Sequence, residues 1–198
     1  MKNVAESVKA RLQNRARAEG LQFSSLLEEF ALARIFARLS ESRYSDQFIL
    51  KGAQLFTLWA DTPQRPTRDA DFLSFGSPDP VELASIFDEI CQIESEPADG
   101  LEWTPAQAAP IREDNIYGGV RIKFFGLLGK VKIPVQIDVG FGDSITPEAT
   151  TAEWQMPLDY PSVTLRVYCP ETSIAEKLQA APWRFWEGVP SSKSAIQK

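Results

Sequence analysis

The stretch from Phe48 to Ser74, FILKGAQLFTLWADTPQRPTRDADFLS, constrains this chain more than any other. An apolar strand, Phe48 to Leu50, runs into Lys51-Gly52-Ala53 and then into a segment whose periodicity predicts a helix of about two turns. A Pro-bearing loop follows, and the chain returns to an extended segment carrying Asp69-Ala70-Asp71. Successive side chains of a strand alternate between faces, so Asp69 and Asp71 point to the same side. Two close carboxylates repel each other unless a proton or a cation lies between them. Hard divalent cations such as Mg²⁺ take oxygen ligands, usually one or two carboxylates plus substrate phosphates.

Alone, such a pair also describes a solvated turn. Two neighbours sharpen the reading. A strand and a Gly-led helix precede it, placing backbone N–H groups where a phosphate can bind. After it comes the predicted strand Val131 to Phe141, VKIPVQIDVGF, with Asp138 among apolar residues. A charge in such a run is expensive to bury unless it is paired or binds a metal. Asp69, Asp71 and Asp138 are therefore expected to meet on adjacent strands as a three-carboxylate metal site. Lys51, Thr67 and Arg68 flank it with groups suited to charge-assisted bonds to triphosphate oxygens. Asp143, at the strand exit marked by Gly140 and Gly142, is a turn aspartate or a fourth acid.

The rest of the chain reads mainly as scaffold. Residues 3 to 19 have helical spacing with Gly20 as the stop, and Lys9, Arg11, Arg15 and Arg17 lie between the apolar positions. Those four form either an ordinary exposed helix face or a basic stripe for RNA or a partner. Ser24-Ser25 is expected to cap a second, core helix running to about Leu39. Residues 80 to 91 predict a helix with Asp79 or Pro80 at its start, followed by an acidic solvated loop, 93 to 100. Segments 101–112 and 118–126 alternate like strands, and Gly129-Lys130 is the turn of a hairpin leading into the Asp138 strand. A loop over 144–160, a strand over 162–168 and a helix from Pro170, with Glu176 and Lys177 on it, complete the order.

Composition narrows the chemistry. The chain has 198 residues, no His, two Cys and a formal charge of −6. That length suits one domain with a core of its own. Without His, Ser-His-Asp, Cys-His and His-ligated metal chemistry are all excluded, leaving carboxylates, Lys, Arg and metal ions. Cys91 and Cys169 lack C-x-x-C spacing, which argues against zinc and for a reducing compartment. No segment reads as a signal peptide or a bilayer span, so the expected location is the cytoplasm. The acidic balance disfavours broad nucleic-acid binding but leaves room for a local basic groove.

Strand, Gly-x, helix, D-x-D and a third Asp on a later strand resemble the DNA polymerase β nucleotidyltransferase superfamily. The similarity is closer around that core. ARLQNRARAEGLQFSSLLEEFALARIFARLSESRYSDQFILKGAQLF, RPTRDADFL, VQIDVGFGD and CPETSIAEKLQA, in that order over about residues 8 to 180, resemble the nucleotidyltransferase toxins of the abortive-infection AbiEii/AbiGii family. The resemblance implies an α+β fold with a mixed twisted sheet flanked by helices. It implies an N-terminal helical segment over 1–45 packed on a nucleotidyltransferase core over 46–180.

It further implies Mg²⁺ (or Mn²⁺) held by Asp69, Asp71 and Asp138, with Lys177 presented to the nucleotide and oriented by Glu176. Gly52 and Ala53 would line the phosphates. The superfamily commonly has Gly or Ser at the position of Ala53, which keeps a backbone N–H but offers no hydroxyl. The implied reaction transfers NMP from an NTP to an RNA (tRNA) end or to a protein hydroxyl, with a cognate antitoxin as partner. A small-molecule acceptor and a non-catalytic remnant that binds nucleotide, RNA or a partner protein are the alternatives. Residues 181–198, with two Trp and two Pro close together, depart from the family pattern and read as an atypical tail, the mark of a truncated or frame-shifted product.

Overall fold

A computed structural model describes residues 3–59, 69–111, 118–142 and 145–180. Two helices come first. Helix α1, Val4–Glu19, buries Val8, Leu12 and Ala16, is capped by the Asn3 side chain, and stops where Gly20 turns to φ 66°. Helix α2, Phe23–Glu41, is apolar on several sides and almost entirely buried beyond Leu26. Its N-cap is Gln22, which makes no side-chain capping bond, rather than Ser24-Ser25, and it runs past Leu39 to Glu41.

Among the described residues the strands form one mixed sheet in the order β3-β5-β6-β2-β1-β8-β7, with β4 also paired to β5. These are β1 Phe48–Lys51, β2 Asp69–Ser74, β3 Leu101–Trp103, β4 Gln107–Ile111, β5 Gly119–Leu128, β6 Val131–Phe141, β7 Thr150–Trp154 and β8 Val163–Val167. β2 runs parallel to β6 and antiparallel to β1, while β1 is parallel to β8. After β1 a 3-10 turn, Gly52–Leu55, continues into one helical turn, α3, Phe56–Trp59. Helix α4, Pro80–Cys91, begins at Asp79, whose carboxylate accepts from the Val81 N–H. Helix α5, Pro170–Ala180, closes the described chain. The expected α+β architecture is thus the one adopted.

Sheet pleating assigns the two faces. Val120, Ile122 and Phe124 of β5, Ile133, Val135, Ile137 and Val139 of β6, and Ala70 and Phe72 of β2 are all buried on one side. Helices α2 and α4 pack there, Phe36 meeting Phe72 edge-on at 5.9 Å and Phe87 lying 6.4 Å from Phe124. The alternate positions, Asp69 and Asp71 on β2 and Gln136 and Asp138 on β6, share the opposite face.

Three segments differ from the sequence-based expectation. Residues 101–112 are not one strand, because β3 and β4 are separated by Thr104–Ala106, and both pair with β5. The expected loop over 144–160 contains β7, an edge strand that, among the described residues, pairs only with β8. The acidic segment after α4 is not simply solvated. Asp99 is 2% exposed and accepts from the Arg34 Nε at 3.0 Å and from the Arg38 guanidinium at 2.7 and 3.2 Å. Of the basic residues on α1, Lys9 pairs with Glu6, Arg11 with Asp159, and Arg15 with Glu19 and Glu29. They are therefore engaged within the fold. No helix among the described residues is long and apolar enough to cross a membrane.

Candidate active site

The site is built by strand register. β2 and β6 run side by side with Asp71 directly opposite Asp138, and Asp69 opposite Gln136. Lys51, at the end of β1, pairs with Asp71 from the other side. One face of three adjacent strands therefore carries Lys51, Asp71 and Asp138 in a row, with Asp69 one pleat along.

Gly52 explains why the chain leaves β1 as it does. Its φ is +75°, and a Cβ there would overlap the Asp71 carboxylate and come within 2.9 Å of the Asp71 Cβ and Cγ. Both the conformation and the space require glycine. Gln54, buried in the turn that follows, donates from Nε2 to the Asp69 carbonyl at 3.3 Å, fixing the start of β2. Gly52→Ala is expected to destabilise the protein by about 1–3 kcal/mol. It should also displace Asp71 and so lower nucleotide affinity. Denaturant unfolding with a parallel nucleotide titration checks both, and an unchanged midpoint would mean that the β1 exit rearranges freely.

Charge is concentrated here. Burial, reinforced by Asp69 and Asp138, pushes the Asp71 carboxyl up to about 6, against a downward pull from Lys51. Lys51 is held in turn by Glu176 of α5, Nζ to Oε1 3.2 Å, and lies 5.6 Å from the centre of the Tyr168 ring. Lys51 is thereby placed between the acids and α5. Lys177 lies on α5 next to Glu176, but its side chain is outside the described set; Thr67, Arg68, Asp143 and the tail over 181–198 also lie outside the described residues.

Sequence reasoning missed Arg121. From β5 its Nε and Nη2 donate to the two oxygens of Asp138 at 2.8 and 2.7 Å, a bidentate pair. The bond to Asp138 raises the Arg121 guanidinium above its ordinary value, against the opposing effect of burial, with weaker attraction from the charges of Asp138, Asp69 and Asp71. The signal was present in the hairpin. Leu128 and Val131 flank the Gly129-Lys130 turn and pair with each other, so seven steps outward on each strand bring Arg121 opposite Asp138.

The donor set, carboxylate oxygens without His or Cys, has the chemistry a hard divalent cation requires. Among the described residues, however, no three such side chains are gathered closely enough to hold an ion. The third acid, Asp138, has both of its oxygens turned to Arg121.

Residues 34–190 match the family model described as nucleotidyl transferase AbiEii toxin, type IV toxin–antitoxin system. The chain belongs to the AbiEii nucleotidyltransferase toxin family. The match spans β1, β2, β6 and α5, and hence every strand and helix that carries the candidate site. It starts later than the region over which the sequence fragments show likeness and reaches ten residues beyond it, into the segment after α5. No curated protein matches the chain. Two solved structures from Helicobacter pylori align with 80% of it at 16% identity and a TM-score of 0.49. One is described as a candidate nucleotidyltransferase and the other is JHP933; this AbiEii-family chain covers 59% and 57% of their lengths, respectively.

Proposed function

We propose that this AbiEii-family protein is a metal-dependent nucleotidyltransferase that transfers NMP from an NTP to a hydroxyl of RNA, with tRNA ends as the favoured acceptor class. The observation that carries the reading is the register of β2 against β6, which sets Asp71 opposite Asp138 with Asp69 on the same face. Family membership adds the reaction class and the toxin–antitoxin context, and hence an antitoxin as partner; action in the cytoplasm is part of the proposal. The acceptor, the metal and the roles below are this reading's own.

Asp69, Asp71 and Asp138 would hold Mg²⁺ or Mn²⁺. Bound there, such ions supply charge neutralisation at the phosphates and at the attacking hydroxyl. The protein's own groups do the positioning. Lys51 stands beside Asp71 and, with Lys177 and the backbone around Gly52 and Ala53, would supply positive charge and N–H donors to the triphosphate. Glu176 holds the Lys51 ammonium and thereby fixes the angle at which it faces the acids. With Thr67 and Arg68 adjoining Asp69 in sequence, the nucleotide would lie between the strand ends and α5. Catalysis on this reading is mostly orientation and electrostatics.

Calorimetric titration of NTP in the presence of Mg²⁺, comparing the wild type with Asp69→Asn/Asp71→Asn, tests the placement. Binding that needs the metal and disappears in the variant is expected. Tight binding that the variant leaves intact would remove the acids from the nucleotide site. Transfer of label from NTP to total RNA then tests the acceptor. A second reading, a nucleotide-binding protein without turnover, is favoured by the engagement of Asp138 with Arg121 and by Ala53; it predicts metal-dependent binding with no label transferred.

A further inference from the structure

We infer that Arg121 is a built-in place-holder for the metal: its guanidinium engages both Asp138 oxygens, and a divalent cation must displace it to gain Asp138 as a ligand. This rests on the metal-dependent reading above and adds to it a residue that governs loading of the site.

The geometry carries the inference. A bidentate guanidinium engages the same carboxylate lone pairs that a cation requires, so the two compete for Asp138 rather than share it. Both Arg121 bonds are short, 2.8 and 2.7 Å, and they use both oxygens. The carboxylate is placed where a cation would serve it, directly opposite Asp71 in the parallel β2–β6 pair. Asp69 and Asp71 add a weaker attraction to the same guanidinium.

The Arg121 side chain is 41% exposed, against 16% for Asp138. The arginine is therefore the partner with room to move, while the carboxylate stays anchored in the sheet. Across β5 its other neighbour is Ala109 of β4, a small side chain. A lysine would be a weaker substitute, since its ammonium is a point charge that does not match the carboxylate fork. Arg121 is thus a positioning residue: it offsets the charge of Asp138, and it sets the affinity with which an ion enters.

The test uses the full chain and Mn²⁺ alone, without nucleotide. Mn²⁺ is titrated calorimetrically into the wild type, Arg121→Gln, Arg121→Lys and Asp71→Asn, and thermal unfolding is followed with EDTA and with Mn²⁺. Arg121→Gln is expected to bind Mn²⁺ about three- to tenfold more tightly, the size of one partly exposed charge-assisted pair. It should also melt below the wild type in EDTA and recover with Mn²⁺; Arg121→Lys should fall between, and it carries the test if Arg121→Gln does not fold. An Arg121→Gln affinity equal to or weaker than the wild type, with binding still lost in Asp71→Asn, would overturn the place-holder and leave the metal site standing. Binding indifferent to Asp71→Asn, or absent from the wild type, would overturn the metal site and the place-holder with it.

Discussion

Asp71→Asn is expected to reduce nucleotidyl transfer by about 10³-fold or more while making the metal-free protein more stable above pH 7. The opposite signs have one cause. Asp71 lies between Lys51 and Asp138, half-buried, with its carboxyl pushed up to about 6 by burial, Asp69 and Asp138. The folded protein therefore holds a proton there more tightly than the unfolded chain, whose value is near the ordinary 3.8. Stability contributed by that proton is present at low pH and is lost as pH rises from about 4 through about 6. Above that window the folded state carries the full repulsion.

Asparagine has no charge to repel, so the variant should gain about 1–2 kcal/mol at pH 8 after allowance for solvent screening, a rise of a few degrees in melting temperature. At pH 4 the gain should vanish. Added Mg²⁺ should reverse the order by stabilising the wild type more than the variant. Melting curves at the two pH values with and without Mg²⁺, beside a transfer assay, read all of this. Activity within tenfold of the wild type would remove Asp71 from the site, and an unchanged melting temperature at pH 8 would show that the acids do not strain the fold.

Much of this arrangement is legible in the sequence. Periodicity fixed α1, α4 and the strands of the acidic face, since apolar alternation in β5 and β6 is nearly strict where one side is buried. The polar interruptions of that alternation, Asp69, Asp71 and Asp138, were visible as chemistry for the same reason. What escaped lay where burial does not impose a pattern. β7 is an edge strand with one neighbour and mostly exposed side chains, so Thr150–Trp154 carries little alternation to read. Nothing in its immediate neighbours singles out Arg121, and only counting outward from the Gly129-Lys130 turn reveals its partner. Asp99 was hidden most thoroughly, because its partners are more than sixty residues away on a helix that reads as uniformly apolar core.

Asp99→Ala is expected to be the most destabilising polar substitution argued from this fold, at about 3–5 kcal/mol. Two guanidiniums, 3% and 4% exposed, meet one buried carboxylate. Burial alone would push the Asp99 carboxyl up; hydrogen bonds and charge from Arg38, the Leu101 N–H and Arg34 together hold it below the ordinary carboxylate value. The second positive charge is offset by polar and aromatic neighbours. Arg34 also donates to Ser95 and stacks 4.4 Å from the Tyr160 ring centre. Arg38 donates to the Ile93 and Arg34 carbonyls and lies 5.4 Å from Trp103. Removing the carboxylate leaves both cations with no counter-charge and frees the loop that leads into β3.

A depressed carboxyl contributes stability that is present above its unfolded value and is lost as pH falls through the folded one. The wild-type advantage over Asp99→Ala should therefore be full at neutral pH and shrink only in strong acid. Denaturant unfolding of both proteins at pH 7 and pH 3 measures this. A difference under about 1 kcal/mol at pH 7 would mean that the arginines find water or other partners, and the cluster would then be a surface-like pair despite its burial. Since Asp99 lies on the helix-covered side, away from the acids on the open face, a destabilised variant that still binds nucleotide when folded would separate the scaffold from the site.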